Sequence, residues 1–296
     1  MSKWLLLDGY NLVFRSYYGV PHLTRADGLP TNAIHGWLRT IWKLEDLEKT
    51  NQVAVCFDLG RSVKREALHP EYKANRDETP QGLVQQIPWI KKICKVMGYP
   101  ILEEQGLEAD DIIASAVDYL KGSNQDALIV SADKDLAQLI QSGVRQLLPP
   151  PTANPKLGWR YLDLAGVEEK FSVRPGQIID YLALMGDSSD NINGIAGVGP
   201  KTAVKWLKAY GNIEGILNNS GSIKPTRFQA ILKESHKLLK RNIELVKLDR
   251  SFVVDDLTRL PVNRKRLVDL LNELEMNSTV REVQKRYPAA AQQMLF

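Results

Sequence analysis

The segment Lys3-Trp-Leu-Leu-Leu-Asp8 decides the fold, because it is a short apolar run that ends in an acid. Such a run, from residue 3 to residue 7, is typical of a buried strand. Two more runs of this kind lie at residues 52–57 and 127–131. Apolar residues at helical spacing fill other segments, at residues 33–48, 88–97, 110–120 and 177–185. Alternating strands and helices predict an α/β domain whose parallel sheet is covered by helices on both faces.

The composition excludes several classes of protein. The chain has 296 residues, with 39 Lys and Arg against 35 Asp and Glu, which suits one large globular domain or two unequal ones. No stretch approaches the roughly 18 apolar residues of a membrane span. The first apolar run stops at Asp8, too soon for a signal peptide. Cys56 and Cys94 lie in apolar segments and pair with no histidine at zinc-finger spacing, so we expect reduced thiols in a cytoplasmic protein.

Changes in the pattern predict the domain boundaries. The prolines at 149–151 interrupt the alternation of strands and helices, and beyond Gly186 no strand is expected. We predict three parts, which are an α/β domain over residues 1–165, a smaller helical domain over residues 166–261 and a basic tail over residues 262–296.

Acids stand where the predicted strands end. Asp8 and Asp58 end the first two strands, and Asp133 follows the third. In an open parallel sheet the ligand site lies outside the carboxyl ends of the strands, so we expect these side chains at one edge. A helix start and a turn add further acids. The full set is Asp8, Asp58, Glu108, Asp110, Asp111, Asp133, Asp135, Asp187 and Asp190.

This set of acids predicts a metal site. A single Asp at a strand end is more often a turn residue or a helix cap, and Asp110 or Asp135 alone could serve a helix start. Many acids at one edge, however, would repel each other unless cations neutralised them. Carboxylate oxygens are the ligands of hard divalent ions, so we expect Mg²⁺ or Mn²⁺ there.

Two further patterns indicate a polyanionic partner. Lys and Arg outnumber acids between residues 224 and 250, which suits phosphates, although a solvated helix face is the commoner meaning of a charge run. The motif Gly194-Ile-Ala-Gly-Val-Gly-Pro-Lys-Thr-Ala203 is a glycine-rich turn that leads into a helix near Pro200. Such a turn lets a phosphate backbone approach the free N–H groups of the helix start. The alternative is a plain structural turn between two helices.

Several short motifs follow one another between residues 6 and 203, and they are Leu6-Leu-Asp-Gly9, Val55-Cys-Phe-Asp58, Tyr72-Lys-Ala-Asn-Arg76, Leu107-Glu-Ala-Asp-Asp111, Ala132-Asp-Lys-Asp135, Leu184-Met-Gly-Asp-Ser-Ser-Asp-Asn191 and Gly197-Val-Gly-Pro-Lys-Thr-Ala203. In this order and spacing they resemble the 5′-nuclease domain of bacterial DNA polymerase I and, more widely, the flap endonuclease family. The resemblance implies a PIN-like parallel-sheet nuclease core with a helical arch at residues 61–88, under which a 5′ single-stranded flap would thread. A smaller all-α helix–hairpin–helix (H3TH) domain is implied to follow it.

The resemblance also implies roles for particular residues. Two metal positions are implied, with Mg²⁺ as the ion and Mn²⁺ as its substitute. The ligands of the first match Asp8, Asp58, Glu108, Asp110 and Asp111, and those around the second match Asp133, Asp135, Asp187 and Asp190, with Asp111 near both. The residues implied to position the scissile phosphate are Arg15, Tyr72, Lys73 and Arg76, with Lys73 and Arg76 as catalytic groups and Tyr72 available for base stacking. The alternatives are an ordinary half-buried aromatic for Tyr72 and a solvated loop for Lys73 and Arg76.

The glycine-rich turn is implied to hold duplex DNA without reading its sequence. In the family this element binds a monovalent ion, often K⁺, through backbone carbonyls. The residues that match it are Gly197, Gly199, Lys201, Thr202 and Lys205.

The function implied is that of a structure-specific 5′-3′ exonuclease and 5′-flap endonuclease. Such an enzyme hydrolyses DNA and RNA primers by two-metal-ion catalysis during replication and repair, and its substrates are branched, nicked or 5′-flapped DNA. The chain is either a free-standing nuclease or part of a longer polymerase. We expect a bacterial monomer near the nucleoid, without a membrane. Two alternatives are a DNA-binding adaptor that has lost catalysis, which the intact acids disfavour, and a PIN-like ribonuclease. The arch segment and the glycine-rich turn disfavour the ribonuclease.

The end of the sequence resembles a docking peptide. Gln292, Leu295 and Phe296 are spaced as in the short motif by which bacterial replication proteins bind the sliding clamp. The two apolar side chains would fill a pocket while the amide of Gln292 bonds at its rim. The alternative is that these side chains fold onto the enzyme itself, or that the match is chance.

Overall fold

The computed structural model describes residues 3–288, which form two compact units interleaved along the sequence. The first unit contains residues 3–8, 56–78 and 103–255, and the second contains residues 9–55, 79–102 and 256–288. The domain boundaries predicted at residues 165 and 261 follow chain order instead, and they stay predictions.

The secondary structure of the described residues is mixed. The strands are β1 (Lys3–Asp8), β2 (Val53–Cys56), β3 (Ile101–Leu102), β4 (Asp126–Val130), β5 (Val144–Leu148), β6 (Arg160–Leu162), β7 (Gly186–Asp187) and β8 (Ile192–Asn193). The helices are α1 (Gly9–Gly19), α2 (Asn32–Glu48), α3 (Val63–Leu68), α4 (Gln81–Val84), α5 (Ile87–Val96), α6 (Ala109–Gly122), α7 (Leu164–Phe171), α8 (Ile178–Met185), α9 (Pro200–Tyr210), α10 (Ile213–Asn218), α11 (Arg227–Glu234), α12 (His236–Val246), α13 (Arg264–Glu273) and α14 (Asn277–Arg286). Short 3-10 helices lie at Asp135–Leu139, Pro155–Leu157, Pro175–Gln177, Ser188–Asp190 and Ser220–Ser222.

Within the first unit, β1, β4, β5 and β6 are neighbours in that order. β1 pairs with β4 in parallel, with Leu5 opposite Leu128, and β4 pairs with β5 in parallel. β6 closes this part of the sheet as an antiparallel strand. Leu5, Leu6 and Leu7 are fully buried, as expected when both faces of a parallel sheet are covered.

Helices form the second core of the first unit. Residues of α8, α9, α11 and α12 pack into one apolar cluster. In its centre the rings of Trp206 and Phe228 meet edge to face, with centroids 5.1 Å apart. This cluster supports the glycine-rich turn that precedes α9.

The second unit is organised around α1 and α2. A side chain at Gly36 of α2 would come within 2.8 Å of Ser16 Cβ, so the two helices approach each other closely only because this residue is glycine. The buried Gln86 Oε1 accepts from the backbone N–H groups of Ala33 and Ile34 at 2.8 and 3.2 Å. These bonds satisfy two of the free donors at the start of α2.

The predicted strands and helices are largely confirmed. β1, β2 and β4 match the three predicted runs, and α2, α5, α6 and α8 match the four helical segments. The expectation of no strand beyond Gly186 is wrong, because β7 and β8, of two residues each, pair as an antiparallel hairpin. β3, β5 and β6 were not predicted. Among residues 3–288, no helix combines the length and the apolar character that crossing a membrane requires.

Candidate active site and metal centre

The carboxyl ends of β1 and β4 carry two of the acids. The Ser131 hydroxyl donates to Asp8 Oδ2 at 2.7 Å and accepts from the backbone N–H of Asp133 at 3.0 Å. Because β1 and β4 are parallel neighbours, the residues that follow them leave the sheet on the same side. Ser131 therefore fixes Asp8 and Asp133 at one edge.

Asp110 lies in the first turn of α6, close to other carboxylates. Burial raises the pKa of Asp110 well above its ordinary value, and the charges of Asp133, Asp8 and Asp58 add to the shift. Asp58 Oδ1 accepts from the backbone N–H of Ala109 at 2.9 Å, which holds this acid against the same helix start. Buried like charges of this kind favour a bound cation.

A second group of acids consists of Asp135, Asp187 and Asp190. One carboxylate oxygen of each lies within 4.8 Å of the others. Asp187 Oδ1 accepts from the backbone N–H and hydroxyl of Ser189 at 3.0 and 2.7 Å. Asp135 Oδ1 is buried and accepts no hydrogen bond from the described residues. Burial, followed by the charge of Asp133, raises the pKa of Asp135 to about 7.

Lys73 and Arg76 lie against the acids. Lys73 Nζ is 2.8 Å from Glu108 Oε1, and Arg76 Nη2 donates to Asp190 Oδ1 at 2.6 Å. Lys73 has a left-handed backbone with φ 55°, and its N–H donates to Asp190 O at 3.0 Å. This conformation costs a lysine about 1 kcal/mol or more, and here it directs the amine toward the carboxylates.

Lys134 is a further cation in contact with the second group. Its Nζ lies 2.5 Å from Asp187 Oδ2 and 3.4 Å from Asp135 Oδ1. Burial opposes its charge, but Asp135 and Asp187 outweigh burial and raise the pKa of the amine above its ordinary value. Lys134 therefore carries a full positive charge between two acids.

Tyr72 is placed differently from the expectation that it could stack on a base. It is 4% exposed, so its ring offers almost no face to solvent. Its hydroxyl lies 3.0 Å from Glu108 Oε2 and 3.2 Å from Asp190 Oδ2. In this structure Tyr72 links the two groups of acids instead.

Asp111 is the most deeply buried acid of the set, and a buried arginine and a backbone N–H occupy both of its oxygens. Arg65 donates to Oδ2 at 2.6 Å and to Oδ1 at 2.8 Å, and the backbone N–H of Asp249 donates to Oδ1 at 2.7 Å. Arg65 also donates to Glu108 Oε2 at 3.2 Å and to Leu245 O at 2.9 Å. Asp111 is fully buried, so its carboxylate acts here as the partner of a buried arginine.

The segment predicted as an arch begins in the first unit with one short helix and a series of turns. α3 has only six residues, and turns follow it as far as residue 75. This part is tied to the turn after β7, since Asn191 O lies 2.9 Å from His69 Nε2 and Asn191 Nδ2 donates to Glu71 O at 2.8 Å. Residues 79–88, with α4 and the start of α5, belong to the second unit. Passage of a strand under the segment stays a prediction.

The buried amide of Asn242 fixes the backbone next to the glycine-rich turn between β8 and α9. Asn242 is fully buried, and its amide nitrogen donates to Ala183 O at 3.0 Å and to Asn193 O at 2.8 Å. A side chain at Gly194 would come within 2.2 Å of the Met185 backbone, so only glycine fits this approach. Gly197 has φ +76°, in the left-handed region that favours glycine.

Five of the residues predicted to contact DNA lie at this turn or on α9, namely Gly197, Gly199, Lys201, Thr202 and Lys205. A side chain at Gly199 would meet no atom within 4 Å, so the backbone there is open to a ligand. Lys201 and Lys205 are exposed on α9, one turn apart, and Thr202 is partly buried between them. Arg15 lies on α1 in the second unit, where burial lowers the pKa of its guanidinium.

Sequence reasoning missed Ser131, Arg65, Lys134 and Asn242. Lys134 had a signal, since it stands between two acids of the set. Arg65 and Asn242 act on backbone carbonyls and on acids far away in sequence. No spacing rule indicates such contacts.

Two family models together match most of the chain. The model of the 5'-3' exonuclease N-terminal resolvase-like domain matches residues 3–172, and that of the 5'-3' exonuclease C-terminal SAM fold matches residues 173–266. The chain belongs to the 5'-3' exonuclease family. This confirms the fold class and the family that the motifs predicted, and with them the prediction of a hydrolase that acts on DNA.

Similar proteins are found both as separate nucleases and as parts of polymerases. A 5'-3' exonuclease of Aquifex aeolicus (strain VF5) is 38% identical over 299 residues, which is 100% of both chains. The DNA polymerase I of Caldicellulosiruptor bescii is 34% identical over 284 residues, which is 95% of this chain and 33% of that enzyme. The chain therefore spans 28–33% of the length of the polymerases that it matches.

Solved structures share the fold. The T5 D15 protein, co-crystallised with metal ions, superposes with a TM-score of 0.68 at 25% identity and covers 96% of this chain and 97% of its own. The catalytic core of Rad2, in complex with a DNA substrate, superposes with a TM-score of 0.64 at 17% identity and covers 96% and 92%. At this lower identity the match concerns the fold alone.

Proposed function

We propose that the protein is a metal-dependent, structure-specific 5′-3′ exonuclease and 5′-flap endonuclease. Its substrates are nicked, branched or 5′-flapped DNA and RNA primers, and its products carry a 5′-phosphate. The observation that carries the proposal is the convergence of acids from β1, β4, α6 and the β7–β8 turn within one unit. The family match over residues 3–266 supports it.

The acids fit two hard divalent cations. Asp135 Oδ1 is a buried oxygen that accepts no hydrogen bond from the described part of the chain, with the Lys134 amine 3.4 Å away, and buried like charges surround Asp110. Asp8, Asp58, Glu108 and Asp110 would hold the first ion, and Asp133, Asp135, Asp187 and Asp190 the second. Mg²⁺ is the proposed ion, and Mn²⁺ a substitute. When bound, such ions supply the Lewis-acid chemistry of phosphodiester hydrolysis. Asp111 is assigned to the Arg65 ion pair, not to a metal.

Lys73 and Arg76 are the groups of this chain that we assign to the phosphate. Both are paired with acids, at Glu108 and at Asp190, so their charge is held at the site before substrate arrives. A phosphate diester competes with these acids for both side chains. Its oxygens can accept two hydrogen bonds from the arginine guanidinium, and they attract the lysine amine as a single charge. Arg15 is proposed to contact DNA, as the resemblance implies. Tyr72 is assigned to holding Glu108 and Asp190 through its hydroxyl.

The glycine-rich turn is proposed to bind the phosphate backbone of duplex DNA without sequence specificity. The open backbone at Gly199 and the exposed Lys201 and Lys205 support this role. We propose that Gly197 and Gly199 let the backbone of the turn approach the duplex, and that Thr202, at the start of α9, contacts the same phosphates. A K⁺ ion at the carbonyls of this turn is part of the proposal.

Replacement of Lys201 by alanine is expected to weaken binding to duplexes of any sequence. Loss of one phosphate contact should reduce the slope of log affinity against log salt by about 1. The measurement is fluorescence anisotropy of a labelled duplex over a salt series, without divalent ions. Lys208→Ala serves as the control, since Lys208 is exposed in the last turn of the same helix. An unchanged slope in Lys201→Ala would show that this lysine does not contact phosphate.

Gln292, Leu295 and Phe296 lie outside the described residues. We keep the proposal that they dock the protein on a sliding clamp, since the sequence motif is its support. Such a tether would raise the effective concentration of the enzyme at replicating DNA. We propose further that the protein acts as a monomer in the bacterial cytoplasm, at the nucleoid.

Deletion of residues 292–296 is expected to abolish binding to the clamp and to leave cleavage of free flap DNA unchanged. Clamp affinity is measured by surface plasmon resonance, and cleavage is measured with the same preparation. Replacement of Ala289, Ala290 and Ala291 by serine is a control for tail composition. Equal clamp binding by the full-length and the shortened chain, or its absence in both, would contradict the proposal.

A panel of labelled substrates tests the proposed specificity. We expect cleavage near the junction of a 5′ flap and from a nick, and little cleavage of the same single strand alone. A flap blocked at its 5′ end by a bulky group separates the endonuclease mode from the exonuclease mode. Preferential cleavage of unpaired RNA would favour the ribonuclease alternative, and binding without any cleavage would favour the adaptor.

A further inference from the structure

Lys134 occupies an unusual place among the cations of the site. It is the chain neighbour of both Asp133 and Asp135, and its amine reaches the carboxylate of Asp187, which lies in another part of the first unit. Its side chain is 35% exposed, so it is held in place by contacts and not by complete enclosure.

The backbone around Lys134 is well fixed. The N–H of Asp135 donates to Asp133 Oδ1 at 2.8 Å, and the N–H of Ala137 donates to Lys134 O at 3.1 Å. Gln146 Nε2 donates to Asp133 O at 2.6 Å. The Lys134 amine can therefore leave the acids only by a change of its own side-chain rotamers.

This amine lies against two of the three acids that we propose as ligands of the second ion. Nζ lies 2.5 Å from Asp187 Oδ2 and 3.4 Å from Asp135 Oδ1, and these two acids belong to the only group of three possible ligands found among the described residues. An ammonium and a divalent cation at one place repel each other strongly. The lysine and the ion therefore exclude each other.

Lys73 and Arg76 contact the second group at its third member, Asp190, and not at Asp135 or Asp187 as Lys134 does. They come from the segment after α3 and contact Asp190 at 3.9 and 2.6 Å, and Lys73 is closer to Glu108. Asp135 and Asp187, by contrast, share the single positive charge of Lys134.

We propose that Lys134 is a built-in competitor for the second metal position. This inference rests on the proposed metal-dependent function. While the amine bridges Asp135 and Asp187, the second position binds a divalent ion more weakly than the first. The second ion enters when the side chain turns toward solvent or toward an incoming phosphate. Lys134 thus determines how strongly the second ion binds and the order in which the two ions enter.

Direct Mn²⁺ binding tests this inference without any measurement of activity. Free Mn²⁺ is followed by electron paramagnetic resonance as the ion is titrated into the protein without DNA. The wild-type chain should give a tighter and a weaker class of sites. Lys134→Gln should strengthen the weaker class at least about tenfold, because it removes a unit charge at contact distance. Lys134→Arg keeps the charge and should bind Mn²⁺ as the wild type does.

Two control variants assign the change to its cause. Lys237→Gln makes the same change of net charge at an exposed position on α12, and its Mn²⁺ affinities should equal those of the wild type. Asp187→Asn should abolish the weaker class and keep the tighter one. Circular dichroism establishes that each variant is folded.

The possible results separate the inference from the proposed function. An unchanged or a weaker second class in Lys134→Gln would overturn the role of Lys134, while the two metal sites would stand. Equal strengthening in Lys237→Gln would reduce the effect to net charge and would also overturn it. If the wild-type chain bound no Mn²⁺, the proposed metal-dependent function would fail together with the inference.

Discussion

Asp110→Asn is expected to lower the rate of flap cleavage by more than about 100-fold. Loss of a side chain that only supports a metal ligand already costs up to about 100-fold, and Asp110 is proposed as a ligand itself. The reason is that Asp110 lies among the carboxylates of the proposed first metal position. The protein should remain folded, since burial and neighbouring charges raise the pKa of Asp110 and so make its ionised form unfavourable. The measurement is the single-turnover rate of cleavage of a labelled 5′ flap in Mg²⁺.

Asp118→Asn is the matched control for this change. Asp118 lies on the same helix, α6, and is paired at the surface with Arg250, with side chains 45% and 44% exposed. Cleavage and thermal stability should both stay close to the wild type, because exposed pairs contribute about 0–1 kcal/mol. Wild-type turnover by Asp110→Asn in Mg²⁺ would remove this acid from the catalytic site.

Arg65→Met is expected to lower the free energy of unfolding by about 3–5 kcal/mol, the typical cost of removing one partner of a buried ion pair. The Arg65 and Asp111 side chains are 4% and 0% exposed, so removal of the arginine leaves a buried carboxylate without a counter-charge. Glu108 and the Leu245 carbonyl lose a donor as well. Urea unfolding followed by circular dichroism measures the effect.

Arg61→Met is the control for the loss of an arginine in the same segment. Arg61 pairs with Glu66 at 3.1 Å, but its side chain is 72% exposed, so we expect a loss below about 1 kcal/mol. In the double variant Arg65→Met with Asp111→Leu, the loss should be smaller than in Arg65→Met alone, because no charge is left unpaired. Similar losses in Arg65→Met and Arg61→Met would contradict the buried pair.

Much of the fold could be predicted because the local signals agree with the tertiary structure. The buried runs that became β1 and β4 are apolar, are fully covered and end in an acid or a serine at the same edge. β7 and β8 could not be predicted, since each has two residues and depends on the close approach of Gly186 and Gly194. β5 has a charged residue within it, Arg145, which interrupts its apolar pattern.

The sequence predicted which acids form the candidate site, but it did not predict which side chains those acids contact. The acids were found because they follow strands or begin a helix, and topology brings such positions together. That Asp111 faces Arg65 and that Lys134 reaches Asp187 depends on contacts between distant segments. Tyr72 shows the same limit, because its sequence does not reveal that it is 4% exposed.

The most direct test of the central claim is the Mg²⁺ dependence of cleavage of a double-flap DNA labelled at its 5′ end. We predict no cleavage in EDTA and cleavage near the junction when Mg²⁺ is added, with a 5′-phosphate on the shortened strand. At low Mg²⁺ the single-turnover rate should rise more steeply than the first power of its concentration, since two ions are needed. Cleavage that persists in EDTA, or equal cleavage by the wild type and Asp110→Asn, would contradict the account.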